Sequence, residues 1–433
     1  MVRLWSGALS DKRLMKFPNI FIVAILFAAG PGIAQAVDAP VLSLGQALRA
    51  AAENFDVAIA RAAVDGAHSD LLAADHAPLP LLSVKAGSID LQHGIGPGSL
   101  LADKRIDKSV GLDWTWERGD KRVLRNAAAR SGMKAAQSDF LEMRIEQQLQ
   151  AQAAFYDLLA AQQSEREIKA TAESAQAMAG VLRQRLKAGD VSAQDLARVE
   201  IEAIKASIDQ ETSSLTLQRA AMALAQILGL RSQPRVEEVW PALHVAVALA
   251  ESEQAAAVEA RPDVQAAQAR VDQALAGLDV ALASRKADLT WGLSVDHYPG
   301  TSIRQIELRL QMPLQVGYGQ EGEIGRARAQ VQQAQDLAAK TRLSALIEQS
   351  RLWQEARIAA IKASSQEFEL LPRARQLLTQ AELAYGKGAQ TLTELLDARR
   401  SLRASLLDAI ACQADFAKAQ GSWVLRSHPQ SAP

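Results

Sequence analysis

"SVGLDWTW", residues 109–116, reads as a strand wetted on one side only. Val110, Leu112, Trp114 and Trp116 fall on one face, and Ser109, Gly111, Asp113 and Thr115 on the other. Period-two alternation is the signature of such a strand. The pattern recurs in "RQIELRLQM", residues 304–312, where Ile306, Leu308, Leu310 and Met312 alternate with Gln305, Glu307, Arg309 and Gln311. "TWGLSVD", residues 290–296, sets Trp291, Leu293 and Val295 on one face. "LSVKAGSIDL", residues 82–91, is weaker and suggests a register change near Ser88. Any one of these is explained by an antiparallel sheet with one solvated face. All four can reach the roughly 9–11 residues of a tilted membrane-crossing strand. Apolar-out, polar-in alternation with Trp at the ends is the pattern of an outer-membrane barrel.

The remainder of the chain has a different character. Of 433 residues, 48% are hydrophobic but only 4% aromatic, so alanine carries much of the apolar count. Such a composition with sustained periodicity reads as long helices or coiled coil rather than a thick core. Two helical patterns stand out, about 121–228 and 321–423, interrupted mainly at glycines. About 65 helical residues before each break would make a rod of roughly 100 Å. The arms around each break either fold back as an antiparallel pair or run on as a jointed rod. Pro372 is expected to kink its helix.

The chain also repeats itself. "FDVAIARAAVDGA", residues 55–67, aligns with "PDVQAAQARVDQA", residues 262–274, at a shift of 207. Gly189 and Leu196 align with Gly388 and Leu395 at a shift of 199. A period near 200 residues is a duplicated domain, not a solenoid. The expected plan is a signal segment 1–36; a first repeat 37–228 with a strand hairpin about 80–117 and a helical hairpin about 120–228; and a linker 229–252. A second repeat 253–423 follows, with a strand hairpin about 288–314, a helical hairpin about 320–423, and a tail 424–433.

Residues 1–36 have the order of a secretory signal: Lys12, Arg13 and Lys16, an apolar run 20–29, then "AQA" ending at Ala36. Cleavage is expected after Ala36, with Met1 or Met15 as the start. No other stretch reaches the roughly 18 apolar residues of a spanning helix.

Strand edges cannot face lipid, and single-chain bacterial barrels need at least about 8 strands. Four strands per chain therefore require assembly. A dimer gives a barrel filled by side chains, whereas a trimer gives 12 strands and a lumen. Lys85, Asp113, Glu307 and Arg309 on the inward face favour a wet lumen and a homotrimer.

Catalytic signatures are missing. The histidines, His68, His76, His93, His244, His297 and His428, show no i,i+4 pair and no neighbouring cysteine. No nucleotide-binding loop or nucleophile elbow stands in context. The single cysteine, Cys412, allows no intrachain disulfide and reads as a small apolar helix residue. A net charge of −1 does not indicate nucleic acid. Neither catalysis nor a cofactor is expected.

The second-half motif "RPDVQAAQARV" from Arg261, the "LSLGQALRAAAENFDV" opening from Leu42 and the paired glycine motifs resemble the TolC-family outer-membrane efflux factors. The resemblance covers essentially the whole mature chain. It implies a mainly α fold with a β-barrel contribution: long coiled-coil hairpins and four transmembrane strands per chain, closing as a trimer into a 12-stranded barrel and a periplasmic tunnel. It also implies a periplasmic adaptor protein, an inner-membrane pump of the RND type, and a place in outer-membrane lipid. "WERGDKR", residues 116–122, is similar to the "E-x-G-G-K-R" junction of the heavy-metal (CzcC-like) subgroup, with Asp120 in place of the second glycine. A plain polar junction explains the same residues. The function implied is a passive exit duct of a tripartite efflux system, with metal cations as one substrate class. Type I protein secretion, or a periplasmic coiled-coil scaffold without a pore, are the alternatives.

By the same resemblance, Tyr385, Glu394 and Asp397 fall on an aperture tyrosine and two inward acids, and Asp195 on a position that helps hold the closed state. Gly189, Gly386 and Gly388 are the tip glycines. Gln390 stands where relatives carry a closed-state arginine, which puts a charge-pair lock there in doubt. Glu394 and Asp397, three apart, share a helical face. A threefold axis would turn them into six carboxylates, and rings of Asp/Glu favour cations.

Overall fold

The computed structural model describes residues 41–87, 92, 106–244, 250–298 and 302–427. The expected signal segment, the "GIGPG" loop at 94–98, the register change near Ser88, most of the "YPGTS" turn and the last residues of the tail lie outside the described residues.

The elements in chain order are β1 (Val41–Leu42), α1 (Leu44–Ala51), α2 (Phe55–Ala74), β2 (Leu81–Gly87), β3 (Asp107–Trp116), α3 (Lys121–Ala188) and α4 (Ala193–Leu228). Then come β4 (Arg235–Val236), α5 (Glu251–Glu259), α6 (Pro262–Ala283), β5 (Leu289–Tyr298), β6 (Ser302–Gln311), α7 (Glu321–Ser365), α8 (Leu371–Gly386) and α9 (Leu392–Ser427). Each half opens with two short helices, α1 and α2 in the first and α5 and α6 in the second. Asn54 stops α1 and caps α2 by accepting from the Val57 amide. Arg261 stops α5, and Pro262 opens α6, where a missing N–H costs nothing.

Four strands form one antiparallel sheet in the order β2-β3-β5-β6. Register stacks apolar on apolar: Leu82, Leu112, Leu293 and Leu308 form one row, and Val84, Val110, Val295 and Ile306 the next. Trp114 lies opposite Trp291. Among the described residues nothing covers this face; Leu308 is 82% exposed. Among the described residues, the outer strands β2 and β6 each have one neighbour, so each leaves a row of backbone groups unpaired there.

The long helices pack through alanine. Ala151, Phe155, Leu158 and Leu159 of α3 bury against Ala47 and Ala51 of α1, Leu224 of α4 and Ala417 of α9. Tyr156 stacks on Trp240 at 6.0 Å. Buried Gln152 reaches from α3 to donate to the Ala417 carbonyl at 3.0 Å. Gly421 makes room, since a Cβ there would overlap the Gln152 amide. The disturbance expected at Pro372 takes a specific form: α7 ends in a π-helical turn, Gln366–Leu370, and α8 restarts with Pro372 in its first turn. A π turn supplies the wider ring that lets a helix pass a proline without a clash.

Candidate functional site

The two glycine breaks are the same joint built twice. At the first, the Asp190 amide donates to the Arg185 carbonyl at 2.9 Å and the Gly189 amide to Leu186 at 3.1 Å. At the second, Ala389 donates to Ala384 at 2.8 Å and Gly388 to Tyr385 at 3.0 Å. This crossed pair is the Schellman motif, which needs a left-handed residue. Gly189 has φ +84° and Gly388 φ +71°. Gly386 instead closes the last turn of α8.

After each turn the chain restarts with a hydroxyl cap. Ser192 Oγ accepts from the Asp195 amide at 3.0 Å and donates to its carboxylate at 2.7 Å. Thr391 Oγ1 accepts from the Glu394 amide at 3.3 Å, and the Glu394 carboxylate accepts from the Thr391 amide at 2.8 Å. The second is a capping box. A signal was present: "SAQD" and "TLTE" are hydroxyl-x-x-acid sequences at helix starts. Asp195 and Glu394 thus occupy matching cap positions, while Asp397, one turn on, is exposed and accepts from Arg400 at 3.1 Å.

Both joints fold their arms back as antiparallel pairs. Ala179 and Leu182 of α3 pack on Val199 and Ala203 of α4, and Leu392 and Leu396 of α9 join the same cluster. Half-buried Tyr385 lies against it. Gln390 is exposed.

A set of cross-hairpin contacts escaped the sequence reading. Arg400 on α9 grips Glu202 on α4 with two donors. Arg403 bonds Asp209 at 2.5 Å, and Arg198 donates to Thr393 Oγ1 at 2.7 Å. The Arg400 hydrogen bond, with its charge, outweighs burial and holds the Glu202 carboxyl below the usual range. Arginines were visible on α9, but their partners lie nearly 200 residues away, beyond any local pattern.

The four expected lumen residues share the polar face of the sheet. Arg309 reaches Asp113 at 2.7 Å and lies 3.8 Å from Glu307, while Lys85 sits opposite Ser109. Asp296, buried on this face, accepts from Ser294 Oγ at 3.1 Å; it was not singled out in sequence.

The junction "WERGDKR" is ordered by ion pairs: Glu117 with Arg125, Lys121 with Asp288 at 2.7 Å and Arg122 with Asp75 at 3.3 Å. Asp120 has φ +57° and Gln320, at the equivalent junction of the second half, φ +63°. The aspartate in place of a glycine therefore keeps a glycine-like backbone, which Asp tolerates better than most residues. Burial pushes the Cys412 thiol up. Among the described residues no His/Cys/Asp/Glu group could hold a metal ion, and no helix is long and apolar enough to cross a membrane.

No protein-family profile matches the chain. The cobalt-zinc-cadmium resistance protein CzcC of Cupriavidus metallidurans is 24% identical over 363 residues, 82% of each chain. Among solved structures, a membrane protein from Pseudomonas aeruginosa matches with a TM-score of 0.77 and 17% identity, covering 89% of this chain and 93% of that one. The Campylobacter jejuni CmeC outer membrane channel matches at 0.74 with 15% identity, covering 88% and 85%. CusC, described for transmembrane channel formation, matches at 0.74 with 17% identity, covering 88% and 91%. At these identities the likeness is one of fold.

Proposed function

We propose that this chain, TolC-family by fold and with a CzcC-like relative, forms as a homotrimer the outer-membrane exit duct of an efflux system. The observation that carries this reading is the sheet. Among the described residues its apolar face is bare, its polar face is charged, and both outer strands lack a second neighbour. Lipid tolerates no open strand edge, so β6 of one copy needs β2 of the next. Three copies give 12 strands, wide enough for an aqueous lumen lined by Lys85, Asp113, Glu307 and Arg309.

The helical hairpins continue the duct into the periplasm in this reading. Ile201, Ile208, Leu215 and Met222 recur every seventh residue on α4 and are all exposed. A sustained heptad stripe calls for a partner helix, which a second copy supplies. The glycine joints form the periplasmic aperture, with Asp195, Tyr385, Gln390, Glu394 and Asp397 around it and Gly189, Gly386 and Gly388 at the turns. We read the two halves, 37–228 and 253–423, as structural repeats, each giving one strand pair and one helical hairpin. Energy and substrate choice belong to an inner-membrane pump of the RND type, coupled through a periplasmic adaptor protein. The cobalt-zinc-cadmium resistance of CzcC supports divalent metal cations as the exported class.

The test is conductance of purified full-length protein in planar lipid bilayers. Discrete channels from a species that cross-links as a trimer are expected; a protein that binds membranes without conducting would sink the duct. Loss of cobalt, zinc or cadmium tolerance on gene deletion tests the substrate class separately.

A further inference from the structure

The sheet-to-helix junction carries a surface that the duct does not use. Trp116 ends β3, Lys286 lies just before β5 and Met312 just after β6; pairing of Trp116 with Leu289 and of Thr290 with Gln311 brings all three to one end of the sheet. It is the end from which α3 and α7 depart. Trp116 and Met312 continue the apolar face and are exposed. Beyond the last paired residue the alternation runs on through Leu314, 73% exposed, and Val316, 87% exposed.

Two cations border these residues. The Arg118 guanidinium lies against Met312, with Nη1 3.9 Å from Sδ, so it sits at the edge of the apolar face. The Lys286 stem crosses Gly119, where a Cβ would come within 2.8 Å of its Cδ. Of the carboxylates nearby, Asp288 is committed to Lys121, Glu117 to Arg125 and Asp75 to Arg122, while exposed Asp120, next to Gly119, makes no ion pair with either side chain. Asp288 also accepts from the Arg118 backbone amide at 3.0 Å. Among the described residues, no carboxylate lies within ion-pair distance of the Arg118 or Lys286 side chain. Two exposed cations without counter-ions, beside an exposed Trp and three exposed aliphatic side chains, match an amphiphile with an anionic head and apolar tails.

We propose that Arg118 and Lys286 bind the phosphate of an anionic phospholipid in the inner leaflet of the outer membrane, with its head group beside Trp116 and its chains running back along the exposed apolar face over Met312, Leu310 and Trp114. Arg offers the fork that suits phosphate and Lys a mobile point charge. Tryptophan and basic residues at a membrane–water boundary set the depth of a spanning segment. The site would fix how far the barrel sinks and keep the helical rods below the head groups. This inference rests on the reading of the sheet as a membrane barrel.

The test uses full-length protein in detergent, titrated with palmitoyl-oleoyl phosphatidylglycerol or phosphatidylcholine, with bound lipid counted by native mass spectrometry. The wild type is expected to prefer phosphatidylglycerol. R118Q/K286Q should weaken that binding by about fivefold per charge removed and leave phosphatidylcholine unchanged. R118K/K286R should retain the preference, and K134Q on the α3 rod should change nothing. Trimer content and thermal midpoint, equal to wild type, show that the variants fold. A wild type that does not discriminate between the two lipids, or an R118Q/K286Q protein that binds phosphatidylglycerol normally, would overturn the site. Displacement by soluble glycerol phosphate would also overturn it, since the ligand would then be a free phosphoester. Liposome flotation separates the two readings. Protein that does not float has no membrane barrel; protein that floats without lipid preference has a barrel and no site.

Discussion

Arg309 on β6 and Asp113 on β3 meet at 2.7 Å although β5 lies between their strands. The residue beneath them is Gly292, paired with Asp113 on one side and Arg309 on the other. A Cβ on Gly292 would stand 2.5 Å from Asp113 Oδ1 and 3.1 Å from Arg309 Nε. The glycine is therefore the floor of an ion pair that ties three strands together. Gly292→Val should cost about 1–3 kcal/mol by overpacking. Gly87→Ala, with open space around its Cβ, should cost far less. Thermal unfolding of the two variants in detergent compares them, and equal midpoints would remove the bridging role.

A second network centres on Arg261, whose side chain is 5% exposed. It bonds Asp263 and Glu348, each at 2.7 Å; Glu348 also faces Arg426, which holds Glu142 at 2.5 Å. The start of α6, the middle of α7, the first third of α3 and the end of α9 are thereby clamped. Removing one partner of a buried pair typically costs about 3–5 kcal/mol, so Arg261→Gln should destabilise by roughly the lower figure, since Asp263 and Glu348 are only partly buried. Burial lifts the Asp263 pKa, but the Arg261 hydrogen bond and charge outweigh it and hold the carboxyl below its ordinary value. A depressed folded-state pKa contributes stability above the unfolded value of about 3.9, and that contribution fades as pH falls through the folded value. Wild-type stability should thus drop below about pH 4. In Arg261→Gln this acid limb should be shallower, as denaturation series at several pH values would show.

These two networks mark where sequence stops being enough. Period-two alternation placed Trp114, Leu293 and Leu308 on one face because that signal is local and repeats every other residue. The glycine joints were legible because a left-handed turn leaves few residue choices. The cap roles of Asp195 and Glu394 are also written locally, in "SAQD" and "TLTE", as a hydroxyl and an acid three residues apart at a helix start. Arg400 with Glu202 and Arg309 with Asp113 were not legible, because each pair joins residues nearly 200 positions apart through tertiary packing. "RPDVQ" stood out as a motif, yet nothing in it shows that Arg261 spans to Glu348.

In the proposed duct, the cross-hairpin arginines would bear on gating. Gln390 removes the expected arginine from the tip, and Arg400 and Arg403, about three turns further along α9, reach the facing α4 instead. Exposed charge pairs are worth about 0.2–1 kcal/mol each, so Arg400→Ala with Arg403→Ala should move the closed-to-open ratio by roughly fivefold. Single-channel recordings in planar bilayers read this as open probability. An unchanged open probability would confine these pairs to holding the hairpins together.

The joint itself can be tested through its glycines. Gly388 at φ +71° has open space around it, so any penalty for Gly388→Ala comes from the backbone alone. A left-handed alanine costs about 1 kcal/mol. Gly386→Ala, in a helical position, should be neutral or stabilising, since alanine is the better helix former by about 1 kcal/mol. The denaturant midpoint should fall for Gly388→Ala and hold or rise for Gly386→Ala; a matched loss would mean that Gly386 also needs its conformational freedom.

The acids after the joint are not equivalent, and selectivity measurements should separate them. Glu394 spends its carboxylate on the Thr391 amide and hydroxyl, which fixes it at the helix start. Asp397 is exposed and pairs with an Arg400 already engaged by Glu202. Of the two, Asp397 is the better placed to present negative charge to a shared axis, and three copies would form a ring. Asp397→Asn should lower the cation-to-anion permeability ratio about twofold, the size expected of a screened carboxylate worth roughly 0.5 kcal/mol. Glu394→Gln should act first on stability, because an amide caps the Thr391 backbone less well than a carboxylate near the positive end of a helix. Reversal potentials in salt gradients decide between them: a drop in selectivity confined to Glu394→Gln would transfer the ring from Asp397 to the cap residue.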